Sequence, residues 1–132
     1  MRNPAMGTAR LSATGPATAA QAWERYARPE LWSTWSPQIR GVETDVERLS
    51  TGARGTVLGP LGVRVAFVVD SFDEVGMRWV WTARVGPIRM HLAHGVDAAP
   101  TGCSTWLEAR SAWPVLAAYL PIARFALHKL VA

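Results

Sequence analysis

His94 is the residue best suited to chemistry in this sequence, because it is a histidine on an otherwise apolar strand face. In the predicted strand 88–97, alternation gives that face the residues Ile88, Met90, Leu92, His94 and Val96. An imidazole titrates near neutral pH, so His94 is the candidate general acid or base, or a donor to a ligand oxygen. The other interpretation is a buried histidine bonded to the backbone or to water.

Other kinds of catalytic site find little support in the sequence. Cys103 lacks the signature of a nucleophile, and His91 lies on the opposite strand face from His94, so no metal or cofactor is expected. Asp70 and Glu108 both fall on polar faces, so they do not form an inward pair of carboxylates. The glycines in 59–62 indicate a hairpin turn and not a phosphate-binding loop.

Four tryptophans have two interpretations. Trp32 and Trp35 are three residues apart between two prolines, a spacing that places both indoles on one face of a short helix. Trp79 and Trp81 share the apolar face of a predicted strand. They either fill an ordinary core or line a cavity, where an indole N–H could bond to a ligand oxygen. The sequence leaves both interpretations open.

The predicted lining of such a cavity comes from inward-facing positions on strands and helices, with Trp35 favoured over Trp32. The set is Trp32, Trp35, Phe67, Val69, Trp79, Trp81, Met90, His94, Leu107 and Tyr119. On the opposite sheet face we expect Trp106, Glu108 and Arg110, whose charged members could pair with Arg84 or Arg89 across strands.

The elements that position these residues form an α+β pattern. After a loose end at 1–7 we expect a strand at 8–14, then short helices at 17–26 and 29–36. Six strands follow, at 39–47, 53–58, 63–72, 77–84, 88–97 and 103–111. A helix at 114–131, with a break at Pro121, closes the chain. Short turns favour antiparallel pairing, so one curved sheet would cover one long helix.

Composition narrows the function classes. The chain has 132 residues, enough for one domain, of which 49% are hydrophobic and 18% charged, so a homodimer is compatible with it. Its net charge is +4, but the arginines are scattered, which argues against nucleic-acid binding. A single cysteine and an N-terminus without a signal-peptide pattern predict a cytoplasmic protein. Prolines and charges interrupt the apolar C-terminal segment, so no integral membrane segment is expected.

The order of several segments resembles the START-like, Bet v 1-like (SRPBCC) superfamily, specifically its bacterial polyketide cyclase/dehydrase and lipid-transport group. The segments are 17–37 with PELWSTWSP, the turn LSTGARG at 49–55, RWVW at 78–81, TGCST at 101–105 and the closing helix. The resemblance spans residues 8–131. It implies a helix-grip fold of about seven antiparallel strands around a long C-terminal helix, with a cavity for lipids, polyketides or sterols. This group has no shared catalytic motif, so no catalytic residue is implied.

Three functions follow as expectations. The first is binding of a small hydrophobic molecule, such as a lipid or polyketide, in the cavity. The second is a cyclase, aromatase or dehydratase that uses the same cavity, with His94 as acid and base. The third is a protein-interaction or toxin-like module that uses the low surface charge and the outward Trp106.

Overall fold

Seven antiparallel strands form one sheet in the computed structural model, which describes residues 6–132. The spatial order is β1-β7-β6-β5-β4-β3-β2, so the first and last strands are neighbours. The strands are β1 Met6–Gly15, β2 Gly41–Thr44, β3 Arg54–Leu58, β4 Arg64–Asp73, β5 Arg78–Val85, β6 Ile88–Ala99 and β7 Gly102–Ala112. The α+β class and the helix-grip architecture predicted from the sequence are therefore confirmed.

Three helices accompany the sheet: α1 Ala19–Ala27, α2 Trp32–Trp35 and α3 Trp113–Leu130. A 3-10 turn, Pro29–Leu31, leads directly into α2, and another, Pro60–Gly62, connects β3 to β4. A capping box starts α1, because Gln21 N–H donates to Thr18 Oγ1 at 3.1 Å and Thr18 N–H donates to Gln21 Oε1 at 2.9 Å. The two predicted short helices after β1 are thus present.

The helix α3 is continuous, so the predicted break at Pro121 is wrong. Proline removes one backbone donor, but Pro121 is exposed, and Leu116 and Ala123 on either side are buried against the core. Packing of these flanking turns keeps the helix in one piece. Among residues 6–132, no helix has the length and hydropathy needed to span a bilayer.

The strand boundaries differ from the prediction by up to three residues, as β1 and β2 show. Met6 and Gly7 belong to β1, where they pair with Ala112 and Ser111, so they are not part of a loose end. The rest of that predicted loose end, 1–5, lies outside the described residues. The second strand is shorter than 39–47, because only Gly41–Thr44 pairs with β3.

The outer sheet face does not offer Trp106 as a free surface. The guanidinium groups of Arg10 and Arg78 lie 4.8 Å and 5.5 Å from the centre of its ring, on which they stack. The indole also fits against Gly95, where an added Cβ would lie only 2.4 Å from Trp106 Nε1. Trp106 is therefore half-buried within its own sheet.

The predicted partner of Glu108 is also corrected. Its carboxylate lies 3.6 Å from the guanidinium of Arg10 on β1 and forms no ion pair with Arg84 or Arg89. The reason is strand order: β1 lies beside β7, and Arg10 is directly opposite Glu108.

Candidate functional site

A cavity of about 580 Å³ lies between the inner face of the sheet and α3. Its walls come from β3 to β7, from α2 and the residues just after it, and from one side of α3. The side chains around it are mostly apolar, and Arg84, near the opening, is the one lining residue of the described chain with a charged side chain at neutral pH. A volume of this size is typical of sites for small molecules.

The alternation of β5 and β6 brings three rings of the sequence prediction to the deep wall. Trp79 lies opposite His94 across the two strands, and Trp81 lies opposite Leu92. The indoles of Trp79 and Trp81 stack with ring centroids 5.4 Å apart and planes 12° apart. The imidazole of His94 stacks on the indole of Trp79, with ring centroids 4.9 Å apart and planes 17° apart. We call these three side chains the ring stack.

The polar atoms of the ring stack have no hydrogen-bond partner among residues 6–132. This applies to Nε1 of Trp79, Nε1 of Trp81 and both ring nitrogens of His94, all of which are buried. Buried polar groups are normally bonded, and leaving one without a partner costs about 1–3 kcal/mol. The wall therefore carries an unusual concentration of unused hydrogen-bonding capacity.

The other two predicted tryptophans have their N–H groups engaged. Trp32 Nε1–H donates to the backbone oxygen of Tyr26 at 2.8 Å, and Trp35 Nε1–H donates to that of Arg25 at 2.9 Å. These bonds fasten α2 to the end of α1. Both indoles line the cavity, so the expectation that Trp35 would reach it in preference to Trp32 is not met.

The hydroxyl of Tyr26 is bonded to Thr105 and not to His94. Tyr26 packs on His94 at a centroid distance of 4.9 Å, but its hydroxyl lies 2.6 Å from Thr105 Oγ1. Thr105 donates its single hydrogen to the backbone oxygen of Gly95 at 2.9 Å. Tyr26 must therefore be the donor to Thr105, and its proton is not offered to the imidazole.

The imidazole of His94 is neutral over the physiological range. Burial lowers the pKa of His94 from its usual 6.5 to about 3, because the charged form would lose its hydration without gaining a partner. A neutral imidazole carries one donor and one acceptor. Together with the two indole N–H groups, the ring stack thus offers three donors and one acceptor.

The remaining predicted lining residues divide into two groups. Met90, Leu107 and Tyr119 line the cavity. Phe67 and Val69 do not, because they lie in the core behind it: Phe67 packs against Trp32 and Trp81 at 5.4 Å and 6.0 Å. The indoles therefore separate this part of β4 from the cavity.

Comparison with known proteins places this architecture. The protein-family model described as polyketide cyclase / dehydrase and lipid transport matches residues 6–132. The chain belongs to this family. The resemblance stated from the sequence is confirmed by that match.

Solved structures share the fold of this family member at low sequence identity. The crystal structure of Ara h 8.0201 has 15% identity and a TM-score of 0.72, and the alignment covers 96% of this chain and 98% of the other. A hypothetical protein from Helicobacter pylori has 15% identity and a TM-score of 0.76, with 97% and 86% covered. A putative uncharacterised protein from Rhizobium leguminosarum has 16% identity and a TM-score of 0.74, with 98% and 95% covered. A search of curated proteins found no match.

The polyketide cyclase/dehydrase and lipid transport family member has few groups arranged for catalysis near the cavity. Within residues 6–132, no three His, Cys, Asp or Glu side chains are close enough to hold a metal ion together. Cys103 is buried, and burial raises the pKa of its thiol, which disfavours the nucleophilic thiolate. His94 has no carboxylate partner to orient it within the described part of the chain.

Sequence reasoning missed part of the lining. Gln38, just after α2, contributes a buried Oε1 atom without a partner among the described residues. On α3 the cavity side includes Val115, Ile122 and Ala126, which lie beside the stripe of core leucines. Their spacing of seven and then four residues is the helical signal that could have identified them.

Proposed function

We propose that this protein binds a small hydrophobic molecule, such as a lipid or a polyketide, in the cavity between the sheet and α3. The observation that carries the proposal is a mostly apolar cavity of about 580 Å³ lined by the ring stack, whose side chains hold four buried polar atoms without partners among the described residues. A ligand that fills the cavity would bury apolar surface, and a small displacement of the ring-stack side chains would let its polar atoms bond to those four.

The chemistry of the wall narrows the range of ligands that would fit the cavity. Three donors and one acceptor suit a carbonyl, ether or hydroxyl oxygen. Because His94 is neutral and Arg84 lies near the opening, we expect the oxygen held at the ring stack to be uncharged. An anionic group on the same ligand would be placed beside Arg84, where it keeps contact with water.

A displacement assay with the dye 1-anilinonaphthalene-8-sulfonate tests the proposal. The dye binds apolar cavities, and oleate, a fatty acid, or emodin, an aromatic polyketide, would compete for the site. Ala117 and Ala118 are both exposed neighbours on α3, but of the two only Ala118 lines the cavity. We expect Ala118→Trp to abolish dye binding and Ala117→Trp to leave it unchanged. Equal binding by both variants would place the dye elsewhere and contradict the proposal.

A cyclase, aromatase or dehydratase activity is the alternative function for the same cavity. Its support is the position of His94 in the cavity wall. Its weakness is that an imidazole with a pKa near 3 is a poor base at neutral pH, and that no described carboxylate orients it. An interaction module built on Trp106 has less support, since Arg10 and Arg78 already cover that ring.

A further inference from the structure

Exposed apolar side chains surround the opening of the cavity. Val63, Val85, Ile88 and Ile122 are between 38% and 46% exposed and line the opening from two turns and α3. Val85 and Ile88 face each other across the turn between β5 and β6. We call this part of the molecule the mouth end: the turn 59–63, the turn 85–88, and α3 from its beginning as far as Ile122.

Leu61, at the tip of the turn 59–63, is the most exposed of these apolar residues. It is 98% exposed and has a φ of 58°, the left-handed conformation that a leucine rarely adopts. Nothing in the fold compensates this strain by packing the side chain. Leu61 extends the exposed apolar group formed by Val63, Val85, Ile88 and Ile122, and an apolar patch of this kind marks a surface that contacts another molecule.

Carboxylates are concentrated at the end of the sheet opposite the mouth end, where Arg48 and Arg78 form ion pairs with them and Arg54 also lies. At the mouth end lie Arg40, Arg64, Arg84 and Arg89: Arg84 is opposite Arg89 and Ala66, and Arg40 N–H donates to Leu58 O at 2.8 Å. Strand ends and turns at the opposite end carry the carboxylates of Asp45, Glu47, Asp73, Glu74 and Asp97.

The arginines of the mouth end are largely free of partners. Arg64 forms an ion pair with Glu43, but the guanidinium groups of Arg40, Arg84 and Arg89 are in ion-pair contact with no carboxylate of residues 6–132. All three side chains are exposed. Exposed apolar tips among unneutralised arginines are the combination that binds the interface of an anionic bilayer.

We propose that the mouth end docks on the surface of an anionic lipid bilayer. A nucleic acid or an acidic protein would use the arginines but not the protruding Leu61, and a second copy would bring like charges together. Docking would place the opening against the lipids, so that a hydrophobic ligand could pass without crossing water. That consequence rests on the proposed function, whereas docking itself does not.

Co-sedimentation with vesicles tests the proposal, using phosphatidylcholine with or without phosphatidylglycerol. We expect binding only when phosphatidylglycerol is present. Leu61→Ser should weaken it by about tenfold, because the inserted leucine is lost. The matched control is Val75→Ser, since Val75 is 97% exposed in the turn at the opposite end of the sheet. This control should bind like the wild type.

A charge series completes the experiment. Arg40→Gln and Arg89→Gln should each weaken binding by about fivefold, whereas Arg54→Gln, at the far end of β3, should have no such effect. Absence of sedimentation, equal loss with Leu61→Ser and Val75→Ser, or a protein dimer that Leu61→Ser dissociates would overturn the proposal. Dye binding without vesicles is measured in parallel, so that vesicle binding by a protein with an empty cavity would contradict only the proposed function.

Discussion

The imidazole of His94 stacks on the indole of Trp79 with planes 17° apart, yet none of the three ring nitrogens in this pair has a hydrogen-bond partner among the described residues. The stacking explains why both rings are held firmly. It does not explain why polar rings occupy a site where apolar ones would pack equally well. A ligand oxygen at this wall would form hydrogen bonds with these rings, which would explain why polar rings occupy the site.

Replacing His94 by phenylalanine separates the two roles of this position. The His94→Phe substitution keeps a ring on Trp79 but removes two buried nitrogens without partners. We expect the free energy of unfolding of the ligand-free protein to rise by about 1 kcal/mol or more. Affinity for the displacing ligand should fall by about tenfold. Urea denaturation and dye displacement measure the two effects, and a loss of stability would show that the nitrogens are bonded within the protein.

Acid should destabilise the fold through His94. Its pKa is about 3 in the folded protein and about 6.5 when the chain is unfolded, so between these values only the unfolded state binds the proton. The free energy of unfolding keeps its full value above this window. It decreases as the pH falls through the window, by up to about 1.4 kcal/mol per pH unit. Urea denaturation from about pH 7 to about pH 4 measures this slope. In His94→Phe the slope should be shallower, and equal slopes would contradict the assignment.

The indoles of Trp32 and Trp79 provide a matched pair, since both are 1% exposed but only Trp32 has a bonded N–H. Trp32→Phe leaves the buried oxygen of Tyr26 without its donor, whereas Trp79→Phe removes an N–H without a partner. We expect Trp32→Phe to be the more destabilising by about 1–2 kcal/mol. Chemical denaturation followed by circular dichroism gives both values. The reverse order would show that Trp79 has a partner in the unliganded protein.

Pro121 should be a source of instability within α3. The Pro121→Ala substitution restores one helical N–H at an exposed position and should raise the free energy of unfolding by about 1 kcal/mol or more. The control is Pro114→Ala in the first turn of the same helix, where proline is well tolerated and the exchange should be close to neutral. Thermal denaturation of both variants makes the comparison, and equal effects would contradict it.

Local sequence patterns were sufficient for much of the fold. Alternation correctly placed Trp79, Trp81 and His94 on the inner face, because one face of each strand is buried and the period of two is strict. Turn residues separated the strands correctly for the same local reasons. The continuity of α3 across Pro121 could not be predicted, since it depends on packing by distant residues.

Contacts that depend on the spatial order of the strands were harder to predict from the sequence. Glu108 pairs with Arg10 only because β1, from the start of the chain, lies beside β7. Phe67 lies on the predicted face but is separated from the cavity by Trp32 and Trp81. Which polar atoms have partners is likewise a property of the assembled fold, so the contrast between Trp32 and Trp79 was not visible in the sequence.

The most direct test of a ligand oxygen at the ring stack is the NMR spectrum of the indole N–H groups, assigned through the Trp→Phe variants. The protein is titrated with whichever of oleate and emodin displaces the dye. We predict that the Nε1–H signals of Trp79 and Trp81 shift most on binding, while those of Trp32 and Trp35, already bonded to backbone oxygens, shift little. Unchanged signals from Trp79 and Trp81 in the saturated protein would contradict the account.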